Sequence, residues 1–273
     1  MPNILDWKPD ARRALLVFGG FKTGKTSGAC TFPRPNVIDF DGGLATVAHG
    51  WWQQKFGKRA IMYETFKETS KTQLGVVKEP HAFDDACKYF DECMKPAGTW
   101  KGMAVGKDMF DTWIIDSGTT LSESTSNKGI YLLGGNRTPG AKSETHGAAL
   151  KNGLIVLKQQ DFGAERSMTE QFVQMALDTD KHVILICHEK VLYNDSDVII
   201  GIVPLLTGQS AERIPLKFDE VYRMRLQKVG MEMKRTLQTQ PDGLVRCGTR
   251  LGVPDGTEWN WDALNAALTP KEK

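Results

Sequence analysis

The sequence predicts an α/β protein: a central, mostly parallel sheet flanked by helices, with an antiparallel extension near the C-terminus. Three observations carry this. Short apolar runs that end in Gly, Asp or Ser alternate with longer amphipathic segments, as parallel strands alternate with crossover helices. The glycine-rich stretch "GGFKTGKTS" (19–27) follows the first apolar run directly. Beyond residue 218, "EVYRMRLQKV", "KRTLQTQ" and "LVRCGTR" alternate polar and apolar residues, the period of half-exposed strands.

Taken in order, the strand candidates are Ala14 to Phe18, Asn36 to Phe40, Ala60 to Tyr63, Thr112 to Ile115 and His182 to Cys187. Helices are expected after Gly24, over residues 81–94 and over 167–179. In the last of these, Met168, Phe172, Met175 and Ala176 recur at helical spacing and should pack on the sheet. Two stretches break the rhythm. Residues 126–147, rich in Gly, Ser, Thr and Lys/Arg, read as a long mobile loop after the fourth strand, and residues 191–215 read as a second irregular stretch after the fifth. No internal repeat or low-complexity tract divides the chain, so residues 1–273 are expected to form one domain with a core of about 12–255.

Bulk composition narrows the classes. A formal net charge of +2 neither demands nor excludes nucleic acid, because basic patches can sit on a near-neutral protein. The five cysteines show no Cys-x-x-Cys spacing and read as reduced thiols rather than a disulfide or metal framework. Cys187, at the end of an apolar run, suits a small buried residue. No apolar stretch resembles a signal peptide or approaches a bilayer span, so a cytoplasmic protein without a membrane partner is expected.

Gly19-x-x-x-x-Gly24-Lys25-Thr26 satisfies the phosphate-loop pattern, and its place between a strand and a helix is the context that pattern requires. Glycines let the backbone bend so that successive N–H groups of Gly19, Gly20, Phe21, Lys22, Thr23, Gly24, Lys25, Thr26 and Ser27 can face phosphate oxygens, with the helix N-terminus adding a favourable field. Lys25 would reach the β- and γ-phosphates of ATP, and the Thr26 hydroxyl would ligate Mg²⁺. Lys22 is either a second charge near the phosphates or a solvated loop residue.

Partners for such a loop belong at later strand ends. Asp116 follows Trp113-Ile114-Ile115 and suits the acidic residue that orients Mg²⁺. Asp39 and Asp41, two apart at another strand end, are expected to share a face, with Asp41 the better placed to polarise a water. His188 closes the fifth run, where the γ-phosphate would be sensed.

With these elements in order, the chain resembles the RecA-like P-loop ATPases, in particular the phage-encoded RecA-like nucleotide-binding proteins of single-strand annealing and recombination. The likeness rests on "GGFKTGKTS", "VIDFDGGL", "WIIDSGTTL" and "VILICHEK" and covers roughly residues 12 to 255. It implies that Asp41 is the catalytic carboxylate, Asp116 the magnesium-orienting aspartate and His188 the γ-phosphate sensor. Recombinases commonly carry glutamate where Asp41 stands, and Gly248 replaces the lysine of a C-terminal Lys-x-Arg pair, leaving Arg250 as the candidate cation supplied in trans.

The resemblance implies an oligomer, ring or filament, that binds single-stranded DNA through the loops after the fourth and fifth strands, with a single-stranded-DNA-binding protein as a possible further partner. Lys128, Tyr131, Arg137 and Lys142 are the candidate contacts in the first loop, able to neutralise phosphates and stack a base. The cluster "GWWQQKFGKR" (50–59) is explained by packing or by DNA stacking. A replicative helicase or helicase loader on the same core, and a nucleotide-gated protein-interaction module, are the rival functions.

Overall fold

The computed structural model describes residues 12–68, 80–134, 148–149, 155–156 and 162–268. Strand β1 (Ala14–Gly19) leads through the glycine-rich turn into helix α1 (Lys25–Ala29), then β2 (Pro35–Asp39), α2 (Ala45–Ala48), α3 (Gly50–Phe56) and β3 (Met62–Thr65). Helix α4 (Ala82–Met94) and the small hairpin β4 (Gly98–Trp100) and β5 (Met103–Val105) precede β6 (Thr112–Asp116) and α5 (Gly118–Gly134). A two-stranded pair, β7 (Ala148–Ala149) with β8 (Ile155–Val156), lies before α6 (Phe162–Leu177). Next come β9 (His182–Tyr193), β10 (Ile199–Pro204), α7 (Ser210–Arg213), β11 (Glu220–Val229), β12 (Glu232–Gln238), β13 (Gly248–Thr249) and α8 (Trp261–Leu268).

The main sheet runs β12-β11-β1-β9-β6-β2-β3, with β10 beside β9 and β13 beside β11. Every pair from β11 to β3 is parallel, while β12, β13 and β10 are antiparallel to their neighbours. The phosphate-loop strand β1 and the aspartate strand β6 are therefore separated by β9, which is inserted between them.

Period-two alternation divides the central strands between two cores. Leu16, Phe18, Ile38, Phe40, Trp113, Ile115, Leu185 and Cys187 face α4 and α6 on one side, where Phe172 and Ala176 are buried as the spacing predicts. Leu15, Val17, Val37, Ile114, Ile184 and Ile186 face the other side, against Ala29, Trp52, Trp259 and Leu264. Strands buried on both faces read as continuous apolar runs, which is why β1, β6 and the first half of β9 were legible.

Two expectations need correction. Residues 126–134 are not loop: they complete α5, where Gly129 faces Ala164 and Met168 of α6, and the chain from 135 to 147 lies outside the described residues. The stretch after the fifth strand is a hairpin and a short helix, because β9 continues to Tyr193 and Asn194 caps the turn into β10 by accepting from the N–H of Ser196 and Val198. The expected C-terminal antiparallel extension is present: β12 and β13 both pair antiparallel with β11, which itself lies parallel to β1.

Helix α1 is only one turn long, and its carbonyls find partners outside the helix. Indole N–H groups of Trp52 and Trp259 donate to Ser27 O (2.9 Å) and Lys25 O (2.8 Å). Groups at the end of so short a helix have no intrahelical partner, so these two indoles fix its position. Gly28 is the point of closest approach: a Cβ there would overlap the Trp259 ring. Helix propensity favours Gly28→Ala by about 1 kcal/mol, whereas overpacking typically costs about 1–3 kcal/mol. The substitution is expected to lower the urea midpoint of unfolding. A midpoint that rises would show that Trp259 does not clamp α1.

Candidate functional site

Parallel strands open their C-terminal ends on one edge, and register aligns those ends here. Gly19 lies opposite His188, Asp116 opposite Ile186, and Asp39 opposite Asp116. Lys25, Thr26, Asp41, Asp116 and His188 line one cavity of ≈ 650 Å³, together with Phe21, Lys22, Thr23, Gly24 and Ser27. That volume suits a nucleotide-sized ligand. Gly19 and Gly20 are not in its wall; their carbonyls accept from Lys25 Nζ at 3.0 and 2.8 Å.

The turn depends on Gly24, whose φ of 94° is reached without strain only by glycine. Lys25 is buried, and burial holds its pKa below the ordinary lysine value although Asp116, Cys187, Glu189 and Asp41 oppose this. Two of its three ammonium protons are taken by the loop carbonyls, leaving one for a ligand oxygen. Lys22 is exposed, lines the cavity and lies 5.2 Å over the Phe21 ring.

Thr26 donates to Asp116 Oδ2 at 2.7 Å, joining α1 to the end of β6. Asp116 is 2% exposed, and burial pushes its pKa up to about 6; the Thr26 hydroxyl pulls the other way, Asp41 and Asp39 add to the rise, and Lys25 opposes it. Its backbone carbonyl accepts from the N–H of both Phe40 (2.6 Å) and Asp41 (3.2 Å), so the bend after β2 is tied to β6. The Asp116–Ser117 peptide bond is cis.

That bend separates the two carboxylates expected on one face. Asp39 turns away: its Oδ1 accepts from the N–H of Gly42 and Gly43, and its Oδ2 from the Thr65 hydroxyl. Asp41 turns into the cavity, where Oδ1 accepts from the Ser117 hydroxyl at 3.0 Å and from Thr120, and Oδ2 faces His188 Nε2 at 3.4 Å. Burial pushes Asp41 up, but His188, Thr120 and Ser117 together outweigh it and hold the carboxyl below its usual range. The backbone N–H of His188 donates to Thr119 Oγ1 (3.0 Å), whose hydroxyl donates to Leu205 O (2.8 Å).

Other expected residues lie elsewhere. Lys128 sits in α5, 15% exposed and ion-paired with Asp84 at 2.5 Å, so it belongs to helix packing rather than to a loop. Tyr131 is exposed on the same helix, 5.7 Å beneath Lys128 Nζ. Arg137 and Lys142 fall outside the described residues. Arg250 follows β13, beside Glu220 and Val221 at the opposite end of the sheet, and pairs with Asp219 at 2.8 Å. It cannot reach the cavity of its own chain: Glu220 pairs with Leu15, at the far end of β1 from the loop.

Sequence reasoning missed Ser117 and Thr120, although hydroxyls spaced three apart directly after Asp116 are a helix-start signal, and Ser117 Oγ accepts the Thr120 N–H (3.3 Å). It also missed Arg235, which lines the cavity from β12, and left Trp51 undecided; Trp51 lines the cavity while Trp52 is core.

Thr26 and Asp116 offer two hard oxygen donors at the cavity floor, which fits magnesium, an ion that takes one or two protein oxygens and completes its shell with phosphate and water. Among the described residues no group of three or more His, Cys, Asp and Glu could hold a metal without such help. The same residues include no helix long and apolar enough to cross a membrane.

A glycine turn between strand and helix, its lysine and threonine, and an aspartate on a strand one removed across the sheet define a P-loop NTPase fold of the RecA-like type. Residues 11–251 match the model of AAA_24, an AAA domain, and the chain belongs to that family. A KaiC-like protein, PH0186, from the archaeon Pyrococcus horikoshii OT3 is similar at 14% identity, over 82% of this chain and 76% of that one, with a TM-score of 0.37. The flagellar accessory protein FlaH from Methanocaldococcus jannaschii is similar at 11% identity, over 82% and 76% of the two chains, with a TM-score of 0.35. No curated protein matches the sequence.

The raised pKa of Asp116 has a thermodynamic signature. Its folded value of about 6 exceeds the ordinary 3.8, so stability is full below the lower value and falls as pH rises through the higher one. The difference of about 2 units corresponds to about 3 kcal/mol. Asp116→Asn keeps an acceptor for Thr26 and is expected to be more stable than the parent at pH 8 by up to that amount, the gain vanishing by about pH 4. Denaturant titrations at both pH values check this; an equal effect at both would mean the carboxylate is not desolvated.

Proposed function

We propose that this protein is a magnesium-dependent ATPase that binds single-stranded DNA and acts as a homo-oligomer in phage or bacterial DNA recombination or annealing. The observation that carries the ATPase reading is the convergence of Lys25, Thr26, Asp41, Asp116 and His188 on one cavity. Thr26 Oγ1 and Asp116 Oδ2 would hold Mg²⁺, which when bound neutralises charge on the β- and γ-phosphates. Lys25 Nζ, held at the loop, meets the phosphate oxygens.

Asp41 is the residue to orient and deprotonate the attacking water. Ser117 and Thr120 anchor Oδ1, so Oδ2 keeps its direction towards His188 and the cavity. A carboxylate held below its usual range is a weak base, so turnover by the isolated chain is slow. His188 senses the γ-phosphate through its ring and passes the change along its own strand, since β9 runs on without a break to the hairpin that carries Lys190 and Tyr193. Arg250, exposed at the far end of the sheet, is available to a neighbouring subunit and not to its own site.

Lys25→Ala is expected to abolish ATP binding and hydrolysis, and Asp41→Asn to bind ATP normally while losing at least about 10²-fold in kcat, the range of general-base removal. Nucleotide affinity by calorimetry and phosphate release together check this. Parental turnover in Asp41→Asn would place the base elsewhere.

The DNA reading rests on the family resemblance and the hairpin's coupling to His188. A second reading is favoured by the hairpin tip, where Val198, Ile199 and Ile200 are exposed: a nucleotide-gated contact with another protein. Fluorescence anisotropy with a labelled oligonucleotide separates them. DNA binding should weaken linearly in log K against log salt; no binding at low salt removes the DNA role and leaves the second reading.

A further inference from the structure

We propose that Trp51 and Arg235 form the nucleoside end of the cavity, the indole stacking a purine base and the guanidinium holding a phosphate oxygen beside it. This rests on the nucleotide-binding reading above and assigns the part of the ligand that the phosphate loop does not recognise.

The loop has a direction. It starts at Gly19, opposite His188, and passes Gly20, where an added Cβ would lie 3.4 Å from Glu189 Oε1, so its first half borders β9. Asp41, Asp116 and His188 all come from strands on that side of β1. The loop ends at Gly24, where an added Cβ would lie 2.6 Å from both Cδ and Nε of Arg235, on β12 beyond the opposite neighbour of β1. A triphosphate whose γ end lies by Asp41 and His188 therefore sends its nucleoside towards Gly24, and the side chains on that lip are Arg235 and Trp51.

Both are held in place. Trp52, buried with its indole N–H on Ser27 O, fixes the rotation of α3, which leaves Trp51 at the cavity wall with 41% of its surface exposed. Arg235 is set by its backbone: its carbonyl accepts from the Trp259 N–H at 3.2 Å. Its guanidinium lies 5.9 Å from the centre of the Trp51 ring. Its Nε is buried and has no hydrogen-bond partner among the described residues. The residue nonetheless lines the cavity beside Gly24, and the planar, permanently charged guanidinium suits a phosphate oxygen entering there. Phe21 is more exposed, at 77%, but it stands in the first half of the loop beside Lys22, towards the γ end.

Calorimetry with Mg-ADP and Mg-pyrophosphate separates base from phosphate. The parent should bind Mg-ADP more tightly than Mg-pyrophosphate. Trp51→Ala should weaken Mg-ADP about tenfold or more, the range of base–aromatic stacking, and leave Mg-pyrophosphate unchanged; Trp51→Phe should retain most of the ADP affinity. Arg235→Gln should weaken both ligands alike. Unchanged ADP affinity in Trp51→Ala, or equal losses on both ligands in that variant, overturns the proposal while the nucleotide site stands. A parent that melts cooperatively yet binds neither ligand overturns the nucleotide reading and this one with it. Thermal melting of each variant distinguishes lost contacts from lost folding.

Discussion

One buried carboxylate organises the functional edge of the sheet. Asp116 receives the Thr26 hydroxyl on its side chain and the N–H groups of Phe40 and Asp41 on its main chain, so a single residue joins the phosphate loop, the aspartate strand and the bend that aims Asp41. Lys25 does not neutralise it by direct contact, since its ammonium is bonded to loop carbonyls. Burying a charge without a contacting counter-charge is unfavourable, and such local disfavour is characteristic of sites built to receive a ligand of opposite charge.

A second set of polar contacts links this edge to the rest of β9. Asp41 reaches His188, whose main chain is held by Thr119, and Thr119 in turn holds the carbonyl of Leu205 at the exit of β10. The N–H of Leu205 also donates to His188 O at 2.7 Å. Both strands of the hairpin are thus fastened at the level of the histidine, and the hairpin is anchored where the γ-phosphate would be read. Among the described residues nothing comparable ties Arg250 to the cavity, so a role for it there requires a second copy of the chain.

Much of the fold was legible because strands buried on both faces leave long apolar runs and because the residues that end them are polar for functional reasons: Gly19, Asp116 and His188 each close such a run. The end of α5 was not legible. Its Ser, Asn and Gly content has poor helix propensity, and support comes from tertiary contacts such as Lys128 with Asp84. The β9–β10 turn did carry a signal in Asn194-Asp195-Ser196-Asp197, with turn residues between two apolar stretches. The opposed directions of Asp39 and Asp41 follow from the bend that Asp116 imposes, which strand periodicity cannot describe. Arg235 and Trp51 meet across more than half of the sequence, and no spacing rule brings them together.

The roof over α1 has a consequence for where this molecule can be divided. The family likeness stops at residue 251, yet Trp259 grips Lys25 O, the N–H of Trp261 bonds to Thr31 Oγ1 at 2.8 Å, and Leu264 is wholly buried in the same core as β1. The stretch matched by the family model and the buried core therefore have different borders. A chain shortened to the matched residues would keep every group that faces the phosphates, and Trp52 with them, but lose the Trp259 and Trp261 contacts that help hold α1 and the turn after it.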